Sequence, residues 1–318
     1  MAQPTNTFDS YDSVGIREDL QDTIYDVSPE ETPFMSGMAK GSAKNTLHEW
    51  QTDALRSSGS NAHIEGDDTV ANARTPTVRL NNQTQIFKDA VVIPGTDDGL
   101  DKAGRGKEMA YQIIKTAKEQ KLDQEKAVFD NNAKVVGSST VARELAGAPA
   151  WMTTNIRNTG AGGSGPTGDG TDARIDGTQT AFTQADFDLV MQDIWTAGGK
   201  PDTVYLSSFQ MNLALGFEGM NNQRSTIGAT KSSNMIVNDF DLYVTPWGNV
   251  TFMPTRENRS RDVFVMQSDM WAIANLRAMK NEPLAKTGDS EKRQVVTEFT
   301  LVSKNEKASG MVVDCTTS

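Results

Sequence analysis

Side chains that commonly carry chemistry are scarce in this chain: two histidines, His48 and His63, and one cysteine, Cys315. A structural zinc site usually takes four cysteine or histidine ligands, and a disulfide takes two thiols, so one chain supplies neither. A Cys–His or Ser–His relay has equally little to draw on. His63-Ile64-Glu65 has the H-x-E form of a deaminase zinc motif, but that chemistry also needs further thiolate ligands, so His63 is read as a solvated loop residue. Residues 160–165, GAGGSG, satisfy G-x-G-x-x-G. That fingerprint binds pyrophosphate only where a strand feeds the turn and a helix N-terminus follows it. Here proline and more glycine follow, so 159–172 reads as a mobile loop. Gly106-Lys107 is followed by Glu108 rather than Ser or Thr, which breaks the Walker A pattern. Asp67-Asp68 and Asp97-Asp98 offer oxygen ligands without EF-hand spacing and read as solvated acidic turns. N-x-[ST] sequons at Asn82, Asn249 and Asn258 read as chance. The residues imply no catalytic, cofactor-binding or metal site.

The elements around them are more informative. The chain has 318 residues, enough for about two domains of ordinary size. Lys+Arg is 31 against Asp+Glu 42, a net charge of -11, which argues against a face that grips a nucleic-acid backbone. The acidity is uneven: residues 1–100 hold sixteen acidic and seven basic side chains, and 101–134 hold six acidic and eight basic. The N-terminus lacks the basic and apolar regions of a signal peptide and no long apolar run is present, so secretion and a membrane span are not expected. With one thiol, a reducing cytoplasm is the expected setting.

Ile16, Leu20, Ile24 and Val27 have helical spacing after a polar start, and Ser28-Pro29 and Thr32-Pro33 stop that helix. Alternation predicts strands over Thr46–Asp53 and Pro76–Pro94, forming a two-stranded ribbon with an acidic tip. Such a ribbon is marginal alone and needs another surface, which another subunit can supply. Between Gly104 and Asn132 no glycine or proline interrupts residues 107–130, which predicts a helix about 40 Å long. Met109, Ile113, Ala117, Val128 and Phe129 give it an apolar face, with Lys115/Glu119 and Lys121/Glu125 expected to pair on the wet side. Thr183 with Asp186 caps a helix ended by Gly198-Gly199, VYLSS is a buried strand, and Phe209–Phe217 is a serine-capped helix. Trp195, Tyr205, Phe209 and Phe217 are expected in the core. Strand signals fill the last third: FDLYVTPWGNVTFMP with its turn at Trp247-Gly248-Asn249, then DVFVMQ, MWAIANL, RQVVTEFTLVS and GMVVD. The fold class is α+β, and no solenoid repeat is present.

Five stretches then carry a resemblance. Ile24-Tyr25-Asp26-Val27-Ser28-Pro29-Glu30-Glu31-Thr32-Pro33-Phe34 is similar to the SPxxTPF segment of one branch of tailed-phage major capsid proteins, and His48-Glu49-Trp50-Gln51-Thr52-Asp53 follows where their ribbon begins. Leu284-Ala285-Lys286-Thr287-Gly288-Asp289, Glu298-Phe299-Thr300-Leu301 and Asn305-Glu306-Lys307-Ala308 resemble that branch's C-terminal strands. Over nearly its whole length the chain resembles a major capsid protein of the Johnson, or Hong Kong-type, phage capsid fold.

The resemblance implies an N-terminal arm over 1–46, an E-loop over 47–98 and a P-domain over 99–179 with its spine helix at 104–133 and the glycine-rich loop at 159–172. It further implies an A-domain core over 180–250 and a β-rich remainder over 251–318 completing both domains. Function would be structural, without catalysis or cofactor: hexamers and pentamers of the chain close an icosahedral head around double-stranded DNA that they do not bind sequence-specifically. Other expected partners are a portal and, in some members, a scaffold, a maturation protease and decoration proteins, with no membrane. The setting would be the virion, assembled in the bacterial cytoplasm. The segment before Pro33 is too short for a fused scaffolding domain, so any scaffold is separate. Some members weld subunits through an E-loop lysine; none lies between Thr46 and Phe87, so no such crosslink is expected. The acidic tip (Glu65, Asp67, Asp68) is expected to face basic side chains of a neighbouring spine helix (Lys115, Lys118, Lys121). Two alternatives stand beside this reading: an encapsulin-like bacterial compartment shell, and a nucleotide-binding enzyme using the glycine-rich loop.

Overall fold

The computed structural model describes residues 28, 31–68, 71–158, 160–217 and 242–317. The helix expected over 16–27 lies outside them. In chain order the elements are α1 (Pro33–Gly37), β1 (Ala39–Ser42), β2 (Leu47–Thr52), β3 (Val78–Gln83), β4 (Gln85–Pro94), α2 (Gly95–Gly99) and α3 (Glu108–Phe129). There follow β5 (Ile156–Asn158), α4 (Gln184–Thr196), β6 (Thr203–Leu206), α5 (Ser208–Ala214), β7 (Leu242–Thr245), β8 (Gly248–Pro254), β9 (Val263–Met266), β10 (Trp271–Pro283), β11 (Ser290–Ser303) and β12 (Gly310–Val313).

Three sheets organise these strands. One has the order β1-β10-β11-β4, the second β5-β12-β9-β6-β8-β7, and the third is the two-stranded β2-β3 ribbon. Pro76–Pro94 is therefore not one strand. It breaks at the buried Thr84, so that β3 pairs with β2 while β4 pairs antiparallel along β11 from Gln85↔Phe299 to Pro94↔Ser290. The ribbon proper spans 47–83.

Helix α3 lies on β4 and β11. It is 22 residues long, about 33 Å at 1.5 Å per residue, shorter than expected. Met109, Val128 and Phe129 are buried at its ends, but Thr116, Gln120 and Gln124 fill the middle of the packed face. Gln120 Nε2 donates to Val295 O at 3.2 Å, so the contact is partly hydrogen-bonded rather than apolar. Lys115 and Glu119 pair as expected, 3.8 Å apart. Lys121 and Glu125 do not, because Glu125 turns inward and is fully buried.

Phe34, Phe129, Tyr205 and Phe264 meet in one aromatic cluster, joining α1, α3, β6 and β9. A second core gathers Phe187, Val190, Met191 and Ile194 of α4 against β6, β8, β9 and β12. Thr183 caps α4, its Oγ1 accepting from Asp186 N at 3.2 Å. Ser207 stands at the N-cap of α5 but its side chain makes no capping bond; it donates instead toward Ser260 O. Tyr205 and Phe217 are buried, whereas Phe209 is only partly covered and Trp195 is 59% exposed, on the outer side of α4. The β7–β8 turn falls at Pro246-Trp247, one residue earlier than expected, leaving Gly248 with φ +151 as the first residue of β8.

Candidate assembly surface

The ribbon is two-faced by strand alternation. Trp50 and Leu80, cross-strand partners, point to the body, and Trp50 packs on the buried Trp151 with ring centroids 5.3 Å apart. On the other face Glu49 pairs with Arg79. His48 sits 6.0 Å from the Trp50 ring, and burial pushes its pKa down.

Polar anchors fix the root. Asn82, fully buried, donates from Nδ2 to Leu301 O at 2.8 Å and accepts at Oδ1 from Ala146 N at 2.9 Å. Its amide is committed inside the molecule, so the sequon at Asn82 cannot be presented there to a modifying enzyme. Thr84 Oγ1 donates to Glu298 Oε1 at 2.8 Å, and the same carboxylate, 3% exposed, accepts from Arg143 at 2.7 Å and Arg277 at 2.9 Å. Two guanidinium groups offset the cost of burying that charge.

Beyond Thr52 and Val78 the chain is different. The described residues of 53–77 are exposed, with Leu55 at 99% and Ile64 at 82%. Glu65, Asp67 and Asp68 lie on this loop, and Asp67 faces His63 at 4.0 Å. Lys115, Lys118 and Lys121 lie exposed along α3. No ion pair between described residues joins the three acids to Lys115 or Lys121 within one chain. Lys118 and Lys121 line an open cavity of about 720 Å³ with Thr32, Pro33, Met253 and Pro254, and Lys121 also borders a second of about 230 Å³ beside Lys40 and Gln124. The acids and the lysines belong to different elements, the 53–77 loop and α3.

The rival chemistry finds no geometry. No helix follows Gly165: Ser164 bridges to Ile175, and the next helix is α4, at Gln184. Gly160–Gly165 thus lacks the helix N-terminus that would hold a phosphate. Asp97 and Asp98 are not free turn residues; Asp97 pairs with Lys102 at 2.8 Å and Asp98 faces Lys107 at 3.7 Å. Among the described residues no three His, Cys, Asp or Glu side chains are placed to share a metal ion, and no helix is long and apolar enough to cross a membrane. Burial raises the Cys315 thiol to about 12, which leaves it protonated and a poor nucleophile.

Two buried charge sites escaped the sequence reading. Glu125 accepts from Phe34 N and Met35 N at 2.8 Å each. Burial, reinforced by Glu257, raises its pKa to about 7 despite those two donors. Arg174, Asp262 and Asp314, all essentially buried, form a second knot completed by Asp176, Arg259 and Arg261. Burial raises Asp262 to about 6, with Arg174 and Arg259 pulling it back. Arg259-x-x-Asp262 and Arg174-x-Asp176 are local pairs, but the contacts that join Arg174 to Asp262 and Asp314 span 88 and 140 residues.

Comparison with known proteins fits this architecture. The family model described as SU10 major capsid protein matches residues 3–316. The major capsid protein of Escherichia phage Phieco32 is 31% identical over 346 aligned positions, covering 98% of this chain and 97% of that one. Among solved structures, the cyanophage A-1(L) capsid chain superposes with a TM-score of 0.69 at 12% identity, covering 95% of this chain and 98% of that one. A chain of Mycobacterium phage Cain gives 0.58 at 10% identity, covering 94% and 95%. The fold is that of Hong Kong-type phage capsid proteins, and the chain belongs to the SU10 major capsid protein family of tailed phages.

Proposed function

We propose that hexamers and pentamers of this chain close an icosahedral head around double-stranded DNA, each copy laying the exposed 53–77 end of its ribbon on a neighbour. The observation that carries this is the 53–77 loop. Leu55 and Ile64 are almost wholly in water there, a poor use of large apolar side chains unless a second copy covers them. The arm is assigned to 1–46, the E-loop to 47–98 with its ribbon at 47–83, the P-domain to 99–179, the A-domain core to 180–250, and 251–318 completes both domains.

In this reading Glu65, Asp67 and Asp68 meet Lys115, Lys118 and Lys121 of the neighbour. Such complementarity sets register and partner choice more than affinity. The net charge of -11 keeps the wall from adhering to packaged DNA. The protein acts in the virion and assembles in the host cytoplasm with a portal and with separate scaffold, protease or decoration proteins where these are used.

Zero-length carbodiimide coupling tests the docking. Shells from mixed isotope-labelled and unlabelled chains should yield mixed-label peptides joining residues 57–73 to 115–121. Shells whose couplings to these acids all fall elsewhere would reject it.

A further inference from the structure

The glycine-rich loop is followed by no helix that could hold a phosphate, yet its backbone is closely fitted. Gly168 and Gly170 have φ +84 and +75, in the left-handed region that glycine enters freely. A Cβ at Gly168 would lie 2.7 Å from Thr153 Cγ2, and one at Gly170 would lie 2.8 Å from Trp151 Cζ2. Between them, the Asp169 carboxylate accepts from Thr171 N at 2.8 Å and Thr167 Oγ1 at 3.0 Å. The loop is thus seated on Trp151, the ring against which Trp50 of the ribbon also packs.

Lys134 joins the loop to the ribbon. Its backbone N–H donates to Gly170 O at 2.8 Å. Its ammonium donates to Asp169 O at 2.9 Å on the loop and to Asn81 Oδ1 at 2.9 Å and Asn81 O at 3.1 Å on β3. An ammonium has three protons, and each here has an oxygen. The Trp151 ring centroid lies 6.0 Å from Nζ, within cation–π range. Asn81 is the cross-strand partner of Glu49, so this contact is made on the ribbon itself, beyond the Asn82 anchor.

We propose that Lys134 and the glycine-rich loop form an abutment that sets the angle at which the ribbon leaves the body, and thereby where its tip meets the next copy. The second half rests on the shell reading; the first does not. At up to about 3.3 Å per residue, the sixteen positions from Asn81 to Glu65 reach at most roughly 50 Å. A tilt at Asn81 moves the end of the paired strands, Thr52 and Val78, and with it the point from which the loop reaches a neighbour. Lys134 is a positioning residue in this scheme.

Spin labels on a Gln51→Cys, Lys126→Cys subunit, with Cys315 buried and unlabelled, report the ribbon-to-helix distance by pulsed electron resonance. The parent should give one narrow distribution. Lys134→Met, which keeps the stem and removes the charge, and Asn81→Ala should each broaden and shift it. Asn81→Asp, which keeps the acceptor, should restore the parent distribution. If Lys134→Met does not fold, Asn81→Ala decides. An unchanged distribution in whichever folded variants are measured would overturn the abutment. In assembly, the broadened variants should give fewer or misshapen shells, and shells of parental size and yield would overturn the link to docking. Absence of shells from the parent itself would count against the shell reading alone, because the distance measurement is made on the subunit.

Discussion

The carboxylate of Glu125, at the buried side of α3, holds the backbone N–H of Phe34 at 2.8 Å and that of Met35 at the same distance. This contact ties the start of α1 to the long helix across 91 residues of sequence, and among the described residues no cation pairs with that carboxylate.

A pH dependence follows from that burial. The folded pKa of Glu125 is raised to about 7 from an ordinary 4.5, so between these values the folded chain binds more protons than the unfolded one. Stability from this group is therefore present at low pH and lost as pH rises through the window, by about 3 kcal/mol in total. Glu125→Gln should flatten this part of the curve. Denaturant midpoints of both proteins from pH 5 to 8 check it; parallel curves would contradict it.

Arg174 bridges Asp262 at 2.8 Å and Asp314 at 3.1 Å with all three groups buried. Removing one partner strands buried charge, so Arg174→Met should cost about 3–5 kcal/mol. Chemical denaturation measures this, and a loss below about 1 kcal/mol, the scale of an exposed pair, would show that water reaches the knot.

Replacing Glu65, Asp67 and Asp68 together by lysine should leave subunit stability nearly unchanged, since surface substitutions usually fall within about 0.5 kcal/mol. Assembly should fail, and combining this variant with Lys118→Glu and Lys121→Glu should recover part of it. Sedimentation of the parent and both variants decides; normal shells from the lysine triple would remove these acids from the contact.

Nucleotide should not bind the glycine-rich loop. A ligand at one hundred times its Kd would stabilise the fold by about 2.7 kcal/mol, a plain rise in melting temperature. No rise is expected with millimolar ATP or NAD, and a saturable rise abolished by Gly163→Val would restore the phosphate reading.

Much of this architecture was legible in the sequence because it is local. The 22 residues of α3 contain no glycine or proline, Thr183-x-x-Asp186 is a capping box, and Val263–Met266 is a short apolar run. What escaped depends on contacts made far along the chain. Gln120 looks like a solvent residue until β11 is laid on it, and Glu125 has the i,i+4 spacing of an exposed pair with Lys121 until α1 claims it. The break at Thr84 was hidden for the same reason: Glu298, which holds its hydroxyl, is 214 residues away. The acids and lysines of the proposed contact were readable as charge, but that proposal calls on two copies, and one chain's sequence does not place a second copy.

Negative-stain electron microscopy of the purified full-length chain, in parallel with particles recovered from its source, tests the central claim most directly. Closed shells or rings of five and six from the chain, and its presence as the main wall protein of the particles, are the expected result. Persistent monomers together with particles whose walls lack this chain would contradict it.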